Sequence, residues 1–167
     1  VANHNSYLDA PIIVIVNRGA FKALGKIEMM KVPVFKIIYK EVCVLIDRSS
    51  KESRAASIIQ LKREIESGTS IFIFPEGTMN KNINLPVAEF YDGAFRLAIE
   101  TQTAIAPMVT INARNLLPRD NPSVFRPGIV RCYYLDPIEV TGLTIDDLPA
   151  LKARVHSLMT EAIIAHS

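Results

Sequence analysis

Apolar residues recur along the chain in short blocks that alternate between helical and strand-like spacing. The block after Asp9, "APIIVIVNRGAF", is apolar and long enough for a buried helix ending near Gly19. "FKALGKIEMM" predicts a short strand carrying Lys26 and Glu28, and "KVPVFKIIYK" a short amphipathic helix with Val34, Ile37 and Ile38 on one side. "EVCVLIDRSS" reads as a buried strand that runs at once into a charged turn. Ala55, Ile58, Leu61 and Ile65 then repeat at helical spacing, with Ser50 or Ser53 able to cap the start and Gly68 just past the end. "TSIFIF" predicts a strand of β-branched and aromatic residues cut off by Pro75, "DGAFRLAIETQ" a helix, and "AIAPMVTIN" and "IVRCYYL" two more strands. A loop with three prolines and three arginines (Arg114, Arg119, Arg126) runs from Asn112 to Gly128. The tail opens on a capping-box pair, Thr144 and Asp147, and sets Leu148, Leu151, Val155 and Leu158 on one helix face.

Strands that alternate with helices predict an α/β fold, here a single domain over residues 1–167 with a mostly parallel or mixed central sheet flanked by helices. Such sheets bind ligands just beyond their strand ends. Chemistry is therefore sought in the polar stretches that follow strands: "NHNSYLD", "DRSS" and "PEGTMN".

Composition narrows the picture modestly. At 167 residues, 49% hydrophobic and 22% charged, the chain can bury a real core and is not a disordered segment. A formal charge of +2 gives no electrostatic footprint for nucleic acid. No apolar run reaches the roughly 18 residues of a membrane-spanning helix. The chain does not begin with Met, and Val1 reads as the end of a strand. The expectation is an N-terminally truncated catalytic domain whose membrane-anchoring segment lies upstream. Cys43 and Cys132 stand apart in strand-like stretches, which predicts buried thiols and no zinc site.

His4 and Asp9 are five positions apart. On a continuous helix they would diverge by about 140°, and on a strand they would face opposite sides. They can meet only if "NSYL" turns between a strand end and a helix start, and Asn5 and Ser6 suit such a turn. A carboxylate at a helix N-terminus is stabilised by the helix dipole. Set against one imidazole nitrogen, it fixes the tautomer and leaves the other nitrogen as a base. The competing account is an aspartate that caps the helix and a histidine that packs at the strand end; spacing alone favours it. Ser6 lacks the glycines of a nucleophile elbow and suits a capping hydroxyl. Arg48 after a strand fits a surface ion pair or a bidentate grip on phosphate. Gly77 lets backbone N–H groups approach an anion, or simply makes a turn.

Taken in order, "NHNSYLD", "VLIDRS", "FPEGT" and "AIAP" closely resemble the four blocks of the glycerolipid acyltransferase family, which includes the 1-acylglycerol-3-phosphate acyltransferases. The first-block signature Asn-His-x-Ser-x-x-Asp is matched at Asn3, His4, Ser6 and Asp9, and the later blocks at Asp47-Arg48 and Pro75-Glu76-Gly77-Thr78. "DGAFRLAIE" is similar to the family's Gly-Ala-x-x-Leu-Ala helix. The resemblance implies transfer of an acyl group from an acyl carrier protein or coenzyme A thioester to a lysolipid hydroxyl, giving phosphatidic acid from lysophosphatidic acid. It implies His4 as general base and Asp9 as its orienting partner, with Lys26, Arg48, Glu76, Gly77 and Thr78 at the acceptor. It further implies no metal or cofactor, the thioester being a co-substrate, and a membrane-associated enzyme at the cytoplasmic face. Glu76 beside a phosphate is at odds by charge unless it braces a basic side chain or the loop backbone. Asn5 and nearby backbone amides are the candidate oxyanion donors.

Two stretches depart from the pattern. The family's third block usually continues with arginine where this chain has Met79, and often carries lysine where it has Tyr91 and Asp92. Both changes remove positive charge. They leave open a different acceptor, such as a lyso-ornithine lipid or a lysophospholipid. More distant alternatives are a lipid hydrolase and a non-catalytic lipid-binding module.

Overall fold

A computed structural model of the chain describes residues 1–31, 39–47 and 49–167. The helix expected over "KVPVFKIIYK" falls largely outside these residues, and so does Arg48. The chain is α/β, as the alternation predicts, and divides into two compact units. One is Gly19–Ile73; the other joins Val1–Arg18 to Phe74–Ser167.

The Gly19–Ile73 unit is a parallel sheet covered by a helix. Strand β1 (Phe21–Lys26) lies between β2 (Cys43–Ile46) and β3 (Ser70–Phe72), parallel to both. The expected first strand is shorter than predicted, because Ile27–Lys31 winds into a 3₁₀ turn that takes Glu28 off the sheet. Gly25 is required in β1, since a Cβ there would stand 2.5 Å from the Tyr39 hydroxyl and 2.9 Å from Cys43 Cβ. Helix α2 (Lys51–Glu66) is capped by Ser50, whose hydroxyl accepts from the Ser53 amide at 3.1 Å. The Ser53 hydroxyl instead accepts from the Asp47 amide. Of the four apolar residues at helical spacing, only Leu61 is buried; Ala55 and Ile58 are exposed and Ile65 half-buried. The pattern had the right period and too wide a face.

The second unit is built on β4 (Met108–Ile111), which is buried along its whole length. It pairs antiparallel with β5 (Arg131–Tyr134) and, through a parallel bridge to Ala2, with the start of the chain. Two helices enclose this core. Helix α3 (Gly93–Thr101) buries Ala94, Phe95, Leu97, Ala98 and Ile99; α5 (Leu148–His166) packs on β4 and α3. The capping box at Thr144 and Asp147 is present at the turn before α5. Leu148, Leu151 and Val155 face inward as expected, but the next inward residue is Met159, fully buried, while Leu158 is exposed. The spacing from Val155 is a full four residues, so the stripe continues one position later.

Two other expectations need correction. Helix α1 (Asp9–Val16) is not buried all round: only Asp9 and Ile13 are, and Ile15 is 79% exposed. It ends at Val16, where Asn17 turns extended and its backbone and side-chain N–H groups both donate to the Ile13 carbonyl. The long loop from Asn112 contains the one-turn helix α4 (Ala113–Leu116), entered through Asn112 in the left-handed region at φ 72°. Cys43 and Cys132 are free thiols, half-buried rather than fully so.

Candidate active site

All of the site that can be assembled lies in the unit formed by the first 18 residues and Phe74–Ser167. It starts with Asn3, which is 1% exposed. Its side-chain amide donates to the Thr110 carbonyl at 3.1 Å and accepts from the Thr110 amide at 2.8 Å. One side chain thus continues the pairing of Ala2 with β4, and the next residue, His4, leaves the sheet at a set place. Ser6, fully buried, donates to the Leu117 carbonyl at 2.7 Å and accepts from the Leu8 amide. Both oxygen functions are spent on the turn, so Ser6 is a structural hydroxyl.

Between these anchors the chain makes the required turn. His4 Nδ1 donates to Asp9 Oδ2 at 2.8 Å. The same oxygen accepts from the backbone N–H groups of Asn5 at 2.7 Å and Ser6 at 2.9 Å. Asp9, 1% exposed at the first position of α1, therefore folds back over the turn that precedes it. The aspartate makes no capping bond to the helix's own amides; it organises the turn that precedes the helix and holds the imidazole. Its second oxygen, Oδ1, is buried without a partner among the described residues. The imidazole stacks on Phe74, with ring centroids 4.1 Å apart and planes 14° apart. Its side chain is 20% exposed, and no described group occupies Nε2. A neutral imidazole held in this tautomer presents Nε2 as an acceptor.

The "PEGT" turn braces the histidine from behind. Glu76 is 3% exposed and accepts from the His4 amide at 2.6 Å through one oxygen and from the Ala88 amide at 2.8 Å through the other. Burial pushes its pKa up from 4.5 to about 7, aided by the charge on Asp9 and opposed by the two amides and the Arg114 guanidinium. The His4 carbonyl, on the other side, accepts from the Asn80 amide at 2.7 Å. His4 is thus held through its ring, its N–H and its C=O. Gly77 adopts φ 68°, where a side chain would be strained, and its amide bonds the Phe74 carbonyl at 3.0 Å.

Of the residues singled out in the sequence, His4, Asp9, Glu76 and Gly77 come together here, with Thr78 exposed beside them. Lys26 closes β1 of the Gly19–Ile73 unit, and Arg48 lies outside the described residues. The Asn5 and Ser6 amides, candidates for an oxyanion site, are already committed to Asp9. Sequence reasoning missed Phe74, Asn80 and Arg114. Phe74 and Asn80 flank the motif directly, and Arg114 follows the end of β4, which is where strand-end chemistry is to be looked for.

Residues 1–111 match the sequence profile of the acyltransferase family, two-thirds of the chain. The chain belongs to that family. It is 32% identical over 165 residues to the 1-acyl-sn-glycerol-3-phosphate acyltransferase of Haemophilus influenzae, covering 98% of this chain and 67% of that protein. It is 30% identical over 161 residues to the human 1-acyl-sn-glycerol-3-phosphate acyltransferase beta, covering 95% and 57%. The fold matches the crystal structure of the 1-acyl-sn-glycerophosphate acyltransferase PlsC from Thermotoga maritima, with a TM-score of 0.79 at 21% identity over 98% of this chain and 64% of that one. The chain therefore spans between about half and two-thirds of the length of these relatives. Residues 1–111 contain the dyad, the Glu76 brace and Asn80.

Proposed function

We propose that this chain carries the catalytic machinery that moves a fatty acyl group from an acyl thioester to the free hydroxyl of lysophosphatidic acid, giving phosphatidic acid. The observation that carries the reading is the dyad: His4 Nδ1 on Asp9 Oδ2 at 2.8 Å, with Nε2 open beyond it. Nε2 takes the proton of the acceptor hydroxyl as its oxygen bonds to the thioester carbonyl carbon. The tetrahedral intermediate then collapses with cleavage of the C–S bond, and the departing thiolate recovers the proton from the imidazolium. Asp9 stabilises the imidazolium through the step and does not itself take the proton. No acyl-enzyme is needed, in keeping with a buried Ser6. The acyl thioester, on an acyl carrier protein or coenzyme A, is a co-substrate, and this chemistry calls for no metal or resident cofactor.

Lys26, Arg48 and Thr78 are assigned to the acceptor's phosphate, and Glu76 and Gly77 to the scaffold that holds the base. Both substrates and product are lipids or lipid carriers, which places the reaction at a membrane surface. Among the described residues no helix is long and apolar enough to cross a membrane. The positive charge lost at Met79 and at Tyr91 and Asp92 is what favours another lysolipid acceptor over lysophosphatidate.

The test is an assay with labelled acyl thioester, using lysophosphatidate, lyso-ornithine lipid and lysophosphatidylcholine as acceptors in parallel. Ester formation with lysophosphatidate supports the reading, and ester only with another acceptor moves the substrate. Release of free fatty acid alone makes the chain a hydrolase, while silence leaves lipid binding. His4→Ala should lower turnover by at least about a hundredfold, the usual contribution of a positioned base. A loss of only a few-fold would reduce His4 to a structural role.

A further inference from the structure

Asn80 is buried, at 4% exposure, and every polar group it has is engaged. Its amide donates to the His4 carbonyl at 2.7 Å, its side-chain oxygen accepts from the Asn82 amide at 2.8 Å, and its side-chain nitrogen donates to the Leu85 carbonyl at 2.9 Å. Its carbonyl accepts from Arg114 Nη2. The other terminal nitrogen of the same guanidinium reaches the Asn82 carbonyl at 3.4 Å. Arg114 stands on α4, directly after β4, and the flanking Ala113 and Leu116 are buried, so the helix that carries it is fixed in the core. A buried carbonyl left without its donor pays the full cost of desolvation. Removing the guanidinium would therefore free the Asn80 segment to move, and that segment is what grips the His4 carbonyl.

We propose that Arg114 is a positioning residue for the reaction: by clamping the carbonyls of Asn80 and Asn82 it holds the Asn80 amide on the His4 backbone and so fixes where the imidazole stands. It acts through Asn80 and need not touch substrate. Its charge also faces Glu76, the second grip on His4, and favours the ionised carboxylate against the burial and the Asp9 charge that oppose it. One side chain thereby supports both backbone contacts of the histidine, although it lies 110 residues away in sequence (114 − 4). The catalytic half of this inference rests on the acyltransferase reading above; the structural half does not.

The experiment compares wild type with Arg114→Gln, Arg114→Lys and the control Arg119→Gln, whose arginine pairs with the exposed Asp120 among the described residues. In the thioester assay Arg114→Gln should lower kcat by about tenfold or more with the KM of both substrates held within about twofold, the signature of a displaced catalytic group. Arg114→Lys should recover part of the loss, since an ammonium can reach one carbonyl but not span two. Two NMR readouts do not depend on activity. The Asn80 amide should exchange at least about tenfold faster in Arg114→Gln, and the Glu76 carboxyl should titrate at higher pH than in wild type. An unchanged kcat, or a rise in acceptor KM alone, would overturn the proposal; the second result would make Arg114 an acceptor-binding group. Should the wild-type chain show no transfer, the proposed activity fails, and the Asn80 and Glu76 readouts still decide whether Arg114 holds the loop. Should Arg114→Gln not fold, Arg114→Met carries the same readouts, and a wild-type Asn80 exchange rate with a wild-type Glu76 titration there would overturn the clamp.

Discussion

Glu76 shows how one residue can be placed correctly by sequence and still be given an incomplete part. "PEGT" marks it as belonging to the site, and the charge conflict with a phosphate hints at a bracing role. That it spans His4 and Ala88 was not legible, because both partners are backbone amides and any residue type would supply them. The arrangement has a thermodynamic consequence. A carboxyl with a folded pKa of about 7 against 4.5 unfolded binds more protons folded than unfolded between those values. Its burial costs nothing below the lower value and costs progressively more as the pH rises, levelling off above the upper one. From pH 5 to pH 8 wild type should lose about 2–3 kcal/mol of unfolding free energy that Glu76→Gln does not lose. Urea unfolding of both proteins at the two pH values checks this, and equal losses would sink it. The stability given up is the condition for an ionised oxygen on the His4 amide.

Among the elements, the strands were the easier to read. The cores of β2, β3 and β4 fall inside the blocks that β-branched and aromatic residues marked out, since a strand in a covered sheet is apolar almost throughout. Helix faces were harder, because period alone does not say how wide a face is buried or where it drifts. In α5 the drift is one residue, from Leu158 to Met159. Met159→Ala should therefore destabilise the protein by about 3 kcal/mol, as for a fully buried methionine, and Leu158→Ala by less than about 1 kcal/mol. Thermal or chemical unfolding of the two variants separates them; comparable losses would return Leu158 to the core. Helix α1 failed for the opposite reason. Its sequence is apolar on every side, and nothing in that sequence distinguishes a helix buried all round from one that shows an apolar face.

Across the whole molecule, the dyad was legible as a motif and its support was not. His4, Glu76, Asn80 and Arg114 are brought together from well-separated stretches of the chain, and a motif search sees only contiguous residues. The unit that contains the site is completed only when Val1–Arg18 joins Phe74–Ser167. The amides of His4, Asn80 and Met108, each bonded across that junction to Glu76, His4 and Val1 respectively, should open together. Native-state hydrogen exchange at increasing denaturant should give the three a common opening free energy. If His4 exchanges at a distinctly lower free energy than Met108, the first segment comes away by itself and the site is less cooperative than its bonds suggest. The pairing of Asn3 with Thr110 adds a constraint of a different kind. Side chains along an extended segment alternate in direction, so a slip of one residue against β4 would exchange the inward and outward sets. The two amide bonds of Asn3 guard this segment against a one-residue slip, for neither Ala2 nor His4 could replace both. The histidine of the dyad is thus located by counting: one step beyond the residue that locks the register.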